Sequence, residues 1–318
     1  MALPLYFSPF QGITTRTFRN LYAQHFEGID TFFTPYFTVK KEEKLPTKKL
    51  LDLKLSFEQN TSLVPQILSN KAEEIILFAN TCADIGYTKL NWNLGCPYPQ
   101  VALQKKGSGL LPYPNEIDAL LEQIFKKINI DFSIKCRLGY FSSDEINQLI
   151  PIFNRYPLHE LIVHARTGKQ KYSGMPNQEA FARLISQTKA PLVYNGDIFS
   201  MEKYLDFTHR FPQINSIMLG RGILYNPFLP ASIKGLKLPE NPKEIVRSFV
   251  EALYLAYRKE KNNQLSLLSA LKEYWHYLAF SFENPTAVYR KIKKAKTFDA
   301  YEEGVAFVFN QHELKPVS

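Results

Sequence analysis

Along the first 230 residues, apolar positions recur with two periods. Runs rich in β-branched and aromatic residues at 3–8, 31–37, 62–68, 89–94, 132–138, 160–165, 191–194 and 214–219 read as strands. Helical spacing fills most of the gaps between them. Residues 71–85 place Ile75, Ile76, Phe78 and Ala79 on one side, and 115–128 do the same with Ile117, Leu120, Leu121, Ile124 and Phe125. Stretches 145–153, 178–187 and, more faintly, 201–211 repeat the pattern. Eight strands alternating with helices predict an α/β fold, a TIM (β/α)8 barrel, which typically takes about 250 residues. The segment 38–60 is lysine-rich and irregular, so one crossover is less clear than the others.

After Pro230 the pattern changes. Pro239 and Pro242 mark a linker, no strand follows, and helices are predicted over 245–259, 264–280 and 285–294. We expect a barrel domain over 1–238 and a C-terminal helical domain over 239–318. The chain is 318 residues long and 45% apolar, enough to bury a large core without staples. No apolar run approaches the ~18 residues of a membrane helix, and the first ten residues lack a basic start followed by an apolar core. Three cysteines, Cys82, Cys96 and Cys136, have spacings that suit neither a zinc knuckle nor a disulfide framework. A cytoplasmic protein without a metal is therefore expected. Without coiled-coil heptads, a monomer is expected too.

Charge adds a partner. The net charge of +9 favours polyanions, nucleic acid above all. Arg290, Lys291, Lys293, Lys294 and Lys296 cluster near the third C-terminal helix. Such a run is usually a solvated face, but beside a barrel mouth it becomes a phosphate-binding surface.

In this fold, chemistry sits where strands end and the following loops begin. Polar and loop residues at those points are Pro9, Phe10, Gln11 and Gly12 after the first strand, Gln66 on the third, and Asn91, Asn93 and Cys96 at the fourth. The fifth carries Lys135 and Arg137, and the sixth His164 and Arg166. Asn195, Gly196 and Asp197 follow the seventh, and Gly220 and Arg221 the eighth. Side chains alternate along a strand, so Asn91 and Asn93 share a face, as do Lys135 with Arg137 and His164 with Arg166. Gln66, Asn91 or His164 taken singly is an ordinary satisfied core residue. Lys135 is harder to dismiss, because an amine on a central strand is costly to bury unless an anion meets it. The HELIVH stretch from His159 to His164 spaces its histidines five apart on a strand, so it is no zinc helix.

Glycines after strands seven and eight, in YNGDI and LGRG, would expose backbone N–H groups near Arg221. Barrels commonly bind a phosphate there. Neither GxGxxG nor GxxxxGK[ST] occurs. Cys96 lies between Gly95 and Pro97, ahead of the GSG at 107–109, so an accessible thiol on a movable loop is expected. It could serve as an acid or, with a histidine base such as His164, as a nucleophile.

Together these segments resemble the tRNA-dihydrouridine synthase family. The resemblance is carried by SPFQGITTRTFR (8–19), VPQIL (64–68), NWNLGCP with GSGLL (91–111), IKCRLG (134–139), IVHARTGKQKYSG (162–174), YNGDI (194–198) and IMLGRGILYNPF (217–228). It spans every part of the expected barrel in order and matches the helical region only in kind. It implies reduction of a tRNA uridine to 5,6-dihydrouridine by bound FMN, with NADPH as reductant. Pro9, Phe10 and Gln11 would then line the flavin, Gln66 would bond its ring, and Lys135 would face its N1/O2 edge. His164, Asn195, Gly196, Asp197, Gly220 and Arg221 would hold the ribityl phosphate. Cys96 would be the general acid, and Asn93, Arg137 and Tyr172 would hold the uracil. Phe10 departs from the methionine usual in the family. The rival readings are an FMN barrel reducing a free pyrimidine or enone, and a non-catalytic tRNA-binding protein.

Overall fold

The structure is a computed structural model in which residues 2–39, 50–53, 61–260 and 263–317 are described. Most of the irregular 38–60 crossover lies outside them. The described strands, all parallel, are β1 (Leu5–Phe7), β2 (Thr31–Phe33), β3 (Ser62–Val64), β4 (Gln66–Ile67), β5 (Lys89–Leu94), β6 (Asp131–Gly139), β7 (Leu161–Thr167), β8 (Leu192–Asn195) and β9 (Ser216–Leu219). Their order is β3-β2-β1-β9-β8-β7-β6-β5-β4.

Nine strands make eight staves. β3 and β4 are one predicted strand interrupted at Pro65, which has no N–H for the ladder. The chain still runs through: the Asn91 N–H donates to the Pro65 carbonyl at 2.9 Å and the Gln66 N–H to Thr34 Oγ1 at 2.9 Å. With β3 on β2 and β4 on β5, the sheet curls into a barrel.

Helices cover the outside. They are α1 (Arg16–His25), α2 (Ala72–Asp84), α3 (Pro99–Ala102), α4 (Pro114–Phe125), α5 (Ile146–Phe153), α6 (Gln178–Ile185), α7 (Met201–Arg210), α8 (Arg221–Tyr225) and α9 (Leu229–Ile233). Four more follow the linker: α10 (Pro242–Glu260), α11 (Gln264–Leu278), α12 (Pro285–Lys293) and α13 (Phe298–Gln311). Their starts are legible, since Thr15, Asn177, Ser200, Asn263, Asn284 and Thr297 each cap a first-turn N–H with a side-chain oxygen. Among the described residues, no helix is long and apolar enough to cross a membrane.

The sequence pattern missed α1 and α13 for identifiable reasons. The buried side of α1 is Phe18, Arg19 and Tyr22, and the buried Arg19 breaks its apolar stripe while donating to the Thr14 and Asp52 carbonyls. In α13, Gly304 interrupts a helical reading, yet it sits buried within the helix, facing Ile292 of α12. The C-terminal helices share one continuous core with the barrel. Phe249 of α10 and Tyr274 of α11 pack edge-on against Phe18 at 5.5 and 5.1 Å.

Inside the barrel, Tyr6, Phe33, Val64, Ile162, Val193 and Met218 form an apolar plug. Toward the strand C-termini the interior turns polar.

Candidate active site

Register explains how distant polar residues meet. Gln66 lies opposite Asn91, Asn93 opposite Lys135, Arg137 opposite His164, and His164 opposite Asn195. The fifteen residues to which the resemblance gives a role all line one cleft at the strand C-termini, about 920 Å³ including its open mouth; Asn91 and Arg166 stand behind it, bonded to Gln66 and Asp197.

Cys96 is held, not mobile. It is only 6% exposed, which corrects the expectation of an accessible thiol on a loose loop. Asn93 Oδ1 accepts the N–H groups of Gly95 and Cys96 at 3.0 and 2.9 Å. Ser108 donates to the Cys96 carbonyl through both its N–H and its hydroxyl, each at 3.0 Å. Gly107 has φ +56°, and an added Cβ would lie 2.6 Å from the Cys96 carbonyl oxygen. The GSG segment is therefore a packing device. From β6, Arg137 Nε donates to the Gly95 carbonyl at 2.9 Å.

Burial pushes the Cys96 thiol above its ordinary value, against weaker opposing effects of the Tyr98 backbone, the Tyr36 hydroxyl, Arg137 and Lys135. At neutral pH the group is a thiol, hence a proton donor. No hydrogen bond among the described residues joins it to His164, as a nucleophile–base pair would need. Burial, followed by Arg137, Lys135, Arg166 and Arg221, keeps His164 well below its ordinary value, so the imidazole is neutral. Arg166 Nη1 donates to His164 Nε2 at 3.3 Å, which assigns the ring proton to Nδ1.

Three cations line the cleft against two carboxylates, Asp197 and Glu273. Asp197 is already bound, to Arg166 at 2.5 Å and Arg221 at 2.7 Å. Lys135 makes no ion pair among the described residues, and burial, reinforced by Arg137, lowers its amine to about 8. The cleft thus has a surplus of positive charge, which suits an anionic ligand. Arg221 lies over the Tyr172 and Phe199 rings, 4.8 and 5.4 Å from their centroids, which fixes its guanidinium in the cleft that Gly196 and Gly220 also line. At Gly196 an added Cβ would meet the Tyr194 hydroxyl at 2.1 Å. Only glycine fits there.

A family model described as "Dihydrouridine synthase (Dus)" matches residues 6–310. The chain belongs to the dihydrouridine synthase family. It is 27% identical over 230 residues to tRNA-dihydrouridine synthase B of Pasteurella multocida (strain Pm70), across 71% of this chain and 67% of that one. A probable tRNA-dihydrouridine synthase 2 of Bacillus subtilis (strain 168) is 30% identical over 231 residues, across 70% and 69%. Among solved structures, histamine dehydrogenase from Rhizobium sp. 4-9 superposes with TM-score 0.56 at 11% identity, covering 73% of this chain and 45% of that one. This likeness shows the barrel fold.

Several of the synthase's polar side chains are already committed. Gln66 Nε2 donates to Asn91 Oδ1 at 2.8 Å and Gln66 Oε1 accepts from Asn93 Nδ2 at 2.7 Å, so each residue orients the other. Asn195 Nδ2 donates to the Met218 carbonyl at 2.8 Å. Arg137, 1% exposed, also gives Nη1 to the Thr167 and Lys171 carbonyls at 2.8 and 2.7 Å. Its Nη2 makes no hydrogen bond among the described residues. Phe10 sits 5.9 Å from the Tyr277 ring and walls the cleft on the side of α11.

Further residues of this synthase line the cleft without a sequence signal that singled them out, among them Tyr36, Tyr98, Phe199, Glu273 and Tyr277. Tyr36 follows β2, which ends at Phe33, whereas the sequence run through 37 hid that strand end. Tyr98 and Phe199 sit in loops just past the NLGCP and NGDI segments. Glu273 and Tyr277 are one turn apart on α11, and nothing local shows that this face meets the barrel.

Proposed function

We propose that this synthase reduces a uridine of tRNA to 5,6-dihydrouridine, with FMN as bound cofactor and NADPH as its reductant. One observation carries the reading: a protonated thiol, immobilised by its own loop, shares a cleft with an amine that has no ion pair among the described residues and with a surplus of positive charge. The residues fit FMN. Lys135 would meet the electron-rich edge of the ring, with Gln66 and Asn93 beside it. Asn195, Gly196, Asp197, Gly220 and Arg221, with neutral His164 nearby, would hold the phosphate end. Pro9, Phe10 and Gln11 would form the wall behind it.

Bound FMN supplies a hydride for C6 of the uracil ring. The chain's part is the proton. Cys96 holds it on Sγ and delivers it to C5, and the thiolate left behind is stabilised by the Tyr36 hydroxyl, Arg137 and Lys135. Arg137 and Asn93 keep Sγ in place through the Gly95–Cys96 backbone. Arg137 Nη2 and the Tyr172 hydroxyl would meet the uracil's polar edge.

A base folded into tRNA must be turned out before it enters the cleft. The helical region 239–318, with Arg290, Lys291, Lys293, Lys294 and Lys296, would supply phosphate contacts as a tRNA-binding domain acting in the cytoplasm. The test is an absorption spectrum of the purified protein, followed by NADPH oxidation with unmodified tRNA or free uridine. A flavin band with tRNA-dependent oxidation supports the proposal. Oxidation driven by free uridine alone would move it to a small-molecule reductase, and a colourless protein that FMN cannot reconstitute to a tRNA-binding protein.

A further inference from the structure

Phe141 is 65% exposed, just past the strand that carries Lys135 and Arg137. An exposed phenylalanine is unremarkable when its loop is loose. This loop is fixed. The Glu145 carboxylate accepts the backbone N–H groups of Tyr140, Phe141 and Ser142 at 2.8, 2.8 and 2.9 Å. Gly168 N–H donates to the Gly139 carbonyl and Lys169 N–H to that of Tyr140, at 2.8 and 2.9 Å, stitching the loop to the end of β7. Beneath it the Tyr140 ring rests on Gly168, where an added Cβ would lie 2.3 Å from the ring and 2.7 Å from Ser108 Oγ. Ser108 is the residue that holds the Cys96 carbonyl. The exposed ring therefore stands on the structure that positions the thiol.

A cation completes it. Exposed Lys169 places Nζ 5.4 Å from the Tyr140 centroid and 5.5 Å from that of Phe141, and the two rings meet edge-on at 4.8 Å. Phe141 is four residues beyond Arg137, so their Cα atoms are at most ~14 Å apart. An aromatic face with a lysine beside it, held rigid within ~14 Å (Cα to Cα) of a residue that lines the cleft, matches what unpaired nucleotides require: a surface for the base and a charge for its phosphate. Apolar protein contact would gain nothing from the lysine.

The geometry points to Phe141 and Lys169 as a stacking platform for an unpaired base flanking the uridine that enters the cleft. This rests on tRNA being the substrate. Stacking one base is worth about 5- to 150-fold in affinity, and little ordering cost arises because the loop is already set.

The test is steady-state dihydrouridine formation on unmodified tRNA by wild type, Phe141→Ala, Phe141→Trp and the triple variant Lys291→Glu/Lys293→Glu/Lys294→Glu, with thermal unfolding as a folding control. Phe141→Ala should raise KM for tRNA by about 5- to 150-fold with kcat nearly unchanged. Phe141→Trp should stay near wild type, and the Phe141→Ala ratio should persist between about 50 and 200 mM salt, unlike a phosphate contact. An unchanged KM in Phe141→Ala, while the triple variant loses affinity, overturns the platform and leaves tRNA as substrate; that face would then be open to a protein partner. No turnover of tRNA by wild type overturns both.

Discussion

Replacing Lys135 by methionine separates stability from function at one atom. The methionine keeps most of the stem and removes the charge. In the ligand-free protein the amine sits in a partly desolvated cleft with no ion pair among the described residues, and burial lowers it from 10.5 to about 8. At about 1.4 kcal/mol per pH unit, holding it charged at pH 7 costs roughly 3 kcal/mol as a ceiling. Lys135→Met should therefore be more stable than wild type as apoprotein at pH 7, by about 1–3 kcal/mol, while FMN binding weakens. The sign with pH follows from proton counting. Between about 8 and 10.5 the unfolded chain holds a proton that the native lysine has released, so wild type gains stability as pH rises through that window. The gap to Lys135→Met should close there. Urea unfolding of both apoproteins at pH 7 and pH 10 measures it. A methionine variant less stable than wild type at pH 7, or a gap that ignores pH, would refute the unpaired amine.

Arg137→Met, two residues along the same strand, should do the opposite and destabilise by about 3 kcal/mol or more in urea unfolding, because it strips partners from the Gly95, Thr167 and Lys171 carbonyls. In the pH profile of dihydrouridine formation, the alkaline limb set by Cys96 should lie above 9.0, where burial has pushed the thiol, and activity should fall as pH rises through it. Tyr36→Phe removes a hydroxyl that favours the thiolate, so it should move that limb higher still; an unmoved limb removes Tyr36 from the proton path. Charge reversal at Lys291, Lys293 and Lys294 should weaken tRNA binding and flatten its salt dependence with FMN affinity intact, and filter binding across a salt series checks it.

Much of this was legible in the sequence, because a parallel barrel writes its plan locally. Strand parity grouped Asn93, Lys135, Arg137 and His164 before any coordinates, and the register places them across from one another. What escaped were features that depend on who packs where. Pro65 divides one stave into β3 and β4, a detail of ladder hydrogen bonding that no apolar pattern records. The thiol of Cys96 is buried because Ser108 and Gly107, a dozen residues on, fold over it. Spaced glycines look like a hinge in sequence and act as a clamp in the fold. Glu273 and Tyr277 reach the cleft from a helix assigned to RNA binding, since the shared core around Phe18, Phe249 and Tyr274 docks α11 against the barrel.

The most direct test of the account is dihydrouridine formation in unmodified tRNA by wild type and Cys96→Ala, with FMN and NADPH saturating and flavin occupancy matched by absorbance. The account predicts product from wild type, at a mapped uridine, and a loss of about 100-fold or more in the variant without loss of flavin. Equal product from both proteins would contradict the role of the buried thiol as the acid.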